Sequence, residues 1–184
     1  MQQERIDRID FRPVRIEDDL PRFYTWLSDP DVRRWYDEGG HSLENYRQQF
    51  APEPTTHKFI ILIDEHPAGY LQAYRVSDEP EYATQLGLEH DAVSLDLFIG
   101  DPDYRGGWGS LVLRKALAGI VFGDMNAEYA CCNPDPENAR AVRAYQKAGF
   151  HGDRVVWIED DSPGNTGYER IMLISRAEFY GSIS

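Results

Sequence analysis

Basic residues are scarce in this chain. Lys+Arg number 19 against 32 Asp+Glu, for a formal net charge of -13. So few cations do not attract phosphate backbones or anionic lipid, which argues against nucleic acid and membrane surfaces as partners. A small cationic ligand is permitted. Long apolar runs are also missing: none approaches the roughly 18 residues of a membrane span. The opening MQQERIDRID lacks the apolar stretch of a secretory signal, so a cytoplasmic protein is expected. Cysteine is limited to Cys131 and Cys132. Neighbours on a strand face opposite sides, so a bridge between them would be strained; they read as reduced core thiols. His41, His57, His66, His90 and His151 show no metal-ligand spacing, and no metal is expected.

What is present suits one soluble domain, residues 1–184 with its core at about 10–179. IDFRPVR reads as a strand ending near Arg15. A helix follows, with Glu17, Asp18 and Asp19 in its first turn and Leu20, Phe23, Tyr24 and Leu27 on one face. Ser42 caps a short helix, SLENYRQQF. HKFIILID and YLQAYRV form a hairpin around EHPAG. Ser77 to Asp91 is polar and loop-like. VSLDLFIG is the next strand, Ser110 to about Phe122 a helix, and AEYACC a strand. NPDPENARAVRAYQKAGF predicts a helix capped by Asp135, with Pro136 at its first position and Gly149 ending it. RVVWIED and YERIMLIS read as a closing hairpin around DSPGNTG. The order predicts an α+β fold: a central mixed, mainly antiparallel sheet flanked by helices.

Two features within this order carry chemistry. DYRGGWGSLVLRKAL places Gly106, Gly107 and Gly109 at the mouth of a helix, where each glycine costs about 1 kcal/mol relative to alanine if helical. Glycines let a backbone approach an anion closely, and helix N-terminal amides bind phosphate without a basic side chain. Arg105 adds a potential charge-assisted contact. The second feature is Asp96, mid-strand in SLDLF. With Leu95 and Leu97 toward the core it faces a cleft, and a carboxylate there needs a partner or a purpose.

The segments LDLFIG, YRGGWGSLVLRKAL, NPDPENARAVRAYQKAGF, WLSDPDVRRWY and GYLQAY resemble the GNAT superfamily of N-acetyltransferases, most closely the aminoglycoside 6'-N-acetyltransferases. The resemblance implies acetyl-coenzyme A as cofactor, held by Leu97, Phe98 and Ile99 of the strand, by Arg105, Gly106, Gly107, Trp108, Gly109 and Ser110 of the turn, and by Asn138. It implies Asp96 as the acid that holds the substrate amine and Tyr145 as proton donor to the coenzyme sulfur. For the substrate pocket it points to Trp35, Tyr36, Gln72, Tyr74, Asp78, Asn133, Asp160 and Asp161, with Glu79 and Glu81 beside Asp78. The family turn usually reads Arg/Gln-x-x-Gly-x-Gly/Ala; here glycine comes one residue early, which reads as a shorter loop in preference to Trp108 replacing the usual aliphatic residue between glycines. Asn133 stands where close relatives carry an aspartate. The expected reaction is direct attack by the 6'-amine of an aminoglycoside in a ternary complex, by a monomer or homodimer. Two alternatives stay open. One is acylation of hydroxylysine-type amines in siderophore synthesis, whose enzymes tend to carry histidine where Asp96 stands. The other is a coenzyme-binding module without transfer.

Overall fold

The computed structural model describes residues 2–36, 40–159 and 167–182. After a short helix α1 (Gln2–Ile6), strand β1 (Ile9–Pro13) leads into α2 (Ile16–Ser28) and α3 (Pro30–Arg33), then α4 (Leu43–Phe50). Strands β2 (Thr56–Ile63) and β3 (His66–Arg75) form the predicted hairpin. Next come α5 (Pro80–Leu86), β4 (Val93–Ile99), α6 (Gly109–Ala116), β5 (Tyr129–Cys132) and α7 (Ala139–Ala148). The described chain closes with β6 (Val155–Trp157), β7 (Tyr168–Arg170), β8 (Met172–Ser175) and α8 (Arg176–Gly181). The described strands build a six-stranded sheet of order β1-β2-β3-β4-β5-β8 and a small β6-β7 sheet. Every pairing in the large sheet is antiparallel except β4 with β5.

That exception positions the site. β4 and β5 pair only at Val93–Ala130 and Ser94–Cys131, so β4 leaves its neighbour beyond Ser94 and Leu95–Ile99 keep an open edge. Side-chain alternation along β4 then separates two cores. Val93 and Leu95 are buried in a cluster with α6 and α7, against which Leu97 and Ile99 pack. Phe98 joins an aromatic cluster under α2 and α4, where Phe23 and Phe50 stack at 3.9 Å and Tyr70 meets Phe50 at 4.9 Å. Cys131 and Cys132 are buried and free, as their spacing implied.

Asp19 fixes α2 to the sheet. It is fully buried, pairs with Arg12 at 2.6 Å and Arg22 at 3.2 Å, and accepts from the Arg15 amide at 2.8 Å. Burial alone would raise its carboxyl; the Arg12 guanidinium and the Arg15 amide outweigh that and hold it below the ordinary carboxylate range.

Five local expectations change. Ser77–Asp91 is not loop throughout, because Pro80 opens and Gly87 (φ 56°) closes helix α5. α7 begins later than expected: Asn138 is its cap, accepting from the Ala141 amide at 3.1 Å, while Asp135 caps a turn at the Glu137 amide. Tyr24 is 45% exposed and leaves the apolar face to Leu20, Phe23 and Leu27. The closing hairpin splits at Ile171. β7 pairs β6, whereas β8 returns to β5 in the large sheet. The helix after the glycine turn starts one residue early and widens over Leu117–Asp124, where the Met125 amide reaches the Ile120 carbonyl at 2.8 Å.

Candidate active site

A cleft of about 1180 Å³ opens where β4 leaves β5. A ladder of facing pairs on β3 and β4 underlies it, Tyr70–Phe98, Gln72–Asp96 and Tyr74–Ser94, of which Gln72, Tyr74, Asp96 and Phe98 line the cleft. These residues share one face because both strands alternate in register. The Tyr70 hydroxyl donates to Gln72 Oε1 at 2.9 Å, and Gln72 Nε2 donates to Asp96 Oδ2 at 3.1 Å. Asp96 is thus oriented by a neutral chain, with no cation among its hydrogen-bond partners in the described residues. Burial raises its carboxyl pKa, and the Gln72 bond only partly opposes this. The result is a stronger base than an ordinary aspartate.

Tyr145 approaches from α7. It is 7% exposed, and its hydroxyl donates to the Leu95 carbonyl at 3.3 Å. Burial drives its pKa well above the phenol range, so it stays protonated. The Ile99 carbonyl on the same edge accepts from Arg105 Nε at 3.2 Å. On the opposite side, the Gly100 amide donates to the Ala68 carbonyl of β3. Alternation then directs the backbone groups of Leu97 to the open edge and those of Phe98 to β3. Leu97 and Ile99 therefore form the edge, while Phe98 contributes its ring to the aromatic wall.

The glycine turn lies at the next corner. Gly106 (φ 94°) and Gly107 (φ 97°) occupy the left-handed region that only glycine adopts freely, and α6 starts at Gly109 with no acid in its first turn. Gly106, Gly107, Gly109 and Ser110 all line the cleft. Extended, unpaired backbone beside free helix amides fits a pantetheine arm and a pyrophosphate. Two expected contacts behave differently. Arg105 is engaged within the fold: Nη2 donates to the Gly100 carbonyl at 2.7 Å and pairs with Asp29 at 2.8 Å. Trp108 turns its ring away from the cleft, under Arg5 at 4.4 Å and Arg8 at 5.2 Å, because α1 packs on α6 there.

Of the pocket candidates, Trp35, Tyr36, Gln72, Tyr74 and Asn133 line the cleft, as does Asn138, expected at the coenzyme. Asp78 does not. It is exposed before α5, and Glu79 at the helix cap and Glu81 in its first turn line the cleft instead. Asp160 and Asp161 lie outside the described residues. Sequence reasoning missed Tyr82 and Glu169. The Tyr82 hydroxyl donates to Glu169 Oε2 at 3.0 Å and accepts from Asn133 Nδ2 at 2.6 Å. Asn133 Oδ1 is buried without a partner among the described residues, an acceptor left for a donor in the cleft. Pro80 and Gly87 framing PEYATQL were the available signal for the helix that brings Tyr82 in.

Comparison with known proteins bears on this arrangement. A family model for an acetyltransferase (GNAT) domain matches residues 15–157. An aminoglycoside N(6')-acetyltransferase type 1 from Klebsiella pneumoniae is 26% identical over 150 residues, covering 78% of this chain and 75% of the relative. A structure of AAC(6')-Ib with ribostamycin and coenzyme A is 25% identical, with TM-score 0.78, covering 97% of this chain and 99% of its own. An uncharacterized protein from Bacillus halodurans shares the fold at TM-score 0.79 and 21% identity, covering 94% of this chain and 86% of its own.

Proposed function

The chain belongs to the GNAT family of acetyltransferases, and from that premise we propose that it acetylates the 6'-amine of an aminoglycoside by direct attack in a ternary complex. It is an acetyl-coenzyme A-dependent N-acetyltransferase. One observation supports the finer reading: Asp96, a carboxylate with no cationic partner among the described residues, stands on β4 where its edge opens, in the same cleft as the glycine turn.

Bound acetyl-coenzyme A supplies a thioester, an activated acetyl group. The chain does the rest. Leu97 presents its backbone N–H and C=O to an extended arm, and the amides of Gly106, Gly107 and the start of α6 bind phosphate oxygens. Asp96 Oδ holds the acceptor ammonium and takes its proton, directly or through water, as the amine becomes a nucleophile. Tyr145 Oη carries the proton that a departing thiolate needs. Asn138 orients the start of α7. Arg105 positions the turn through Asp29. Glu79, Glu81 and Glu169 attract a polycationic acceptor, and Asn133 Oδ1 accepts one of its donors. Trp35 and Tyr36 give a face for a sugar ring. Holding both substrates together removes any need for an acetylated enzyme.

The test is thiol release from acetyl-coenzyme A with kanamycin, a 6'-hydroxyl aminoglycoside and hydroxylysine as acceptors. Turnover on kanamycin but not on the 6'-hydroxyl drug is the expected result. Turnover on hydroxylysine alone would overturn the aminoglycoside assignment.

A further inference from the structure

One ion pair ties together two stretches of chain that both line the cleft. Arg105 opens the glycine turn, and Asp29 stands far earlier, at the corner between α2 and α3. Their side chains meet at 2.8 Å, and Asp31 lies 3.8 Å from the same guanidinium. Arg105 also donates to the Ile99 carbonyl at 3.2 Å and the Gly100 carbonyl at 2.7 Å. One side chain thus spans the end of β4, the turn and the corner. It is only 13% exposed, and its hydrogen bond holds the Asp29 carboxyl below the ordinary carboxylate range. A planar fork of five donors suits this bridging; the point charge of a lysine does not.

Asp29 is a sensitive place to hold. Its amide donates to the Trp26 carbonyl at 3.2 Å and closes α2, while its side chain accepts from the Asp31 amide at 2.9 Å and caps α3. Its carbonyl takes the Val32 and Arg33 amides. α3 has four residues, buries only Val32, and is too short to be stable by itself. Trp35 and Tyr36 follow directly, tied back by the Trp35 amide to the Val32 carbonyl at 3.1 Å. Tyr36 rests on Phe98 of β4 at 4.8 Å. This aromatic wall of the cleft therefore takes its position from Asp29 and β4 rather than from a helix of its own. A Cβ on Gly100 would fall 2.2 Å from Trp26 Cγ, so glycine lets the last turn of α2 press on the end of β4. At the turn itself, a Cβ on Gly106 would meet nothing within 4 Å. The Arg105 side chain is what anchors its start.

We propose that Arg105 is a positioning residue that couples the two substrates: coenzyme bound on the turn amides fixes Arg105, and through Asp29 this sets the wall of Trp35 and Tyr36 for the acceptor. The proposal rests on the reading of the cleft as a site for acetyl-coenzyme A and an acceptor. It gives Arg105 a different task from the phosphate contact implied by its place before the glycines, because Asp29 takes its charge. Such coupling is reciprocal: an acceptor on the wall tightens the coenzyme by the same factor. The entropy lost in fixing the corner is lost when the first substrate binds, and the second binds without that loss.

Hydrogen–deuterium exchange with and without coenzyme A reads the coupling without turnover and without an acceptor. In wild type, coenzyme A should slow exchange at residues 106–111 and also at residues 31–36. Asp29→Asn keeps the shape of the side chain and the cap for the Asp31 amide but gives up the ion pair. That variant should keep protection of 106–111, with coenzyme affinity within about fivefold of wild type, and lose protection of 31–36. Arg105→Lys leaves a cation opposite Asp29 and should retain part of the effect. In calorimetric titrations, kanamycin should bind wild type about fivefold tighter or more when coenzyme A is saturating, and Asp29→Asn equally in both states. Protection of 106–111 alone in wild type overturns this inference and leaves the coenzyme reading in place, as does unaltered protection of 31–36 in Asp29→Asn. Failure of coenzyme A to bind overturns that reading and the coupling with it.

Discussion

At the scale of single residues, Asp96 shows function set against stability. Burial lifts its pKa in the folded state above the unfolded value, which lies near 4 for aspartate. Between the two values the folded protein holds more protons than the unfolded one, so stability falls as pH rises through that window. Above the window the full cost of the buried charge is present. Asp96→Asn keeps an acceptor for Gln72 and removes the charge. Its melting temperature at neutral pH should rise above wild type, and the difference should vanish below the unfolded pKa. The same substitution should lower kcat by about 100-fold or more, with coenzyme A affinity nearly unchanged. An unaltered kcat would remove Asp96 from the chemistry. Wild-type kcat/KM should lose activity on acidification at a pH above the ordinary aspartate range. Asp96 was legible in the sequence because a carboxylate is out of place mid-strand. The Tyr70–Gln72 chain that orients it was not, since it depends on the register of β3 against β4.

Elements decide how the donor is held. The glycines of the turn could be read from sequence, but not their separate roles. Gly106 and Gly107 have positive φ, whereas Gly109 lies inside α6, close to Ala144. A Cβ at Gly106 meets nothing within 4 Å, so the cost of alanine there is conformational, about 1–2 kcal/mol. We expect Gly106→Ala to relax the turn and swing its amides out of line. The KM for acetyl-coenzyme A should then rise about tenfold while the acceptor KM holds. Steady-state kinetics with each substrate varied would check this, and an unchanged donor KM would count against the turn as a phosphate site. α5 carries a different lesson. Its Pro and Gly boundaries were present in the sequence, yet its polar composition hid it, because seven residues bury only Leu86.

For the whole molecule, charge is the organising quantity. A net charge of -13 favours solubility in any case, but the cleft concentrates acids where α5 meets β7 and cations along α7. Raising ionic strength from about 0.01 M to about 1 M shortens the screening length from roughly 30 Å to 3 Å. The KM of a polycationic acceptor should climb several-fold more than that of a monoamine over this range. Equal response of the two would show that the acidic wall does not steer the substrate. By itself, the sequence determined the α+β order, the acidic balance, the helix-mouth glycines, the displaced aspartate and a helix that ends at Gly149. Each of these is a short-range pattern of period, cap or composition, written within one turn or one strand. Only the tertiary structure decided where β4 parts from β5, that Asp29 claims Arg105, that α1 covers Trp108, and that Glu79 and Glu81 reach the cleft instead of Asp78. Those outcomes rest on contacts between segments distant in the chain, where packing and charge pairing choose among local options that are equally open.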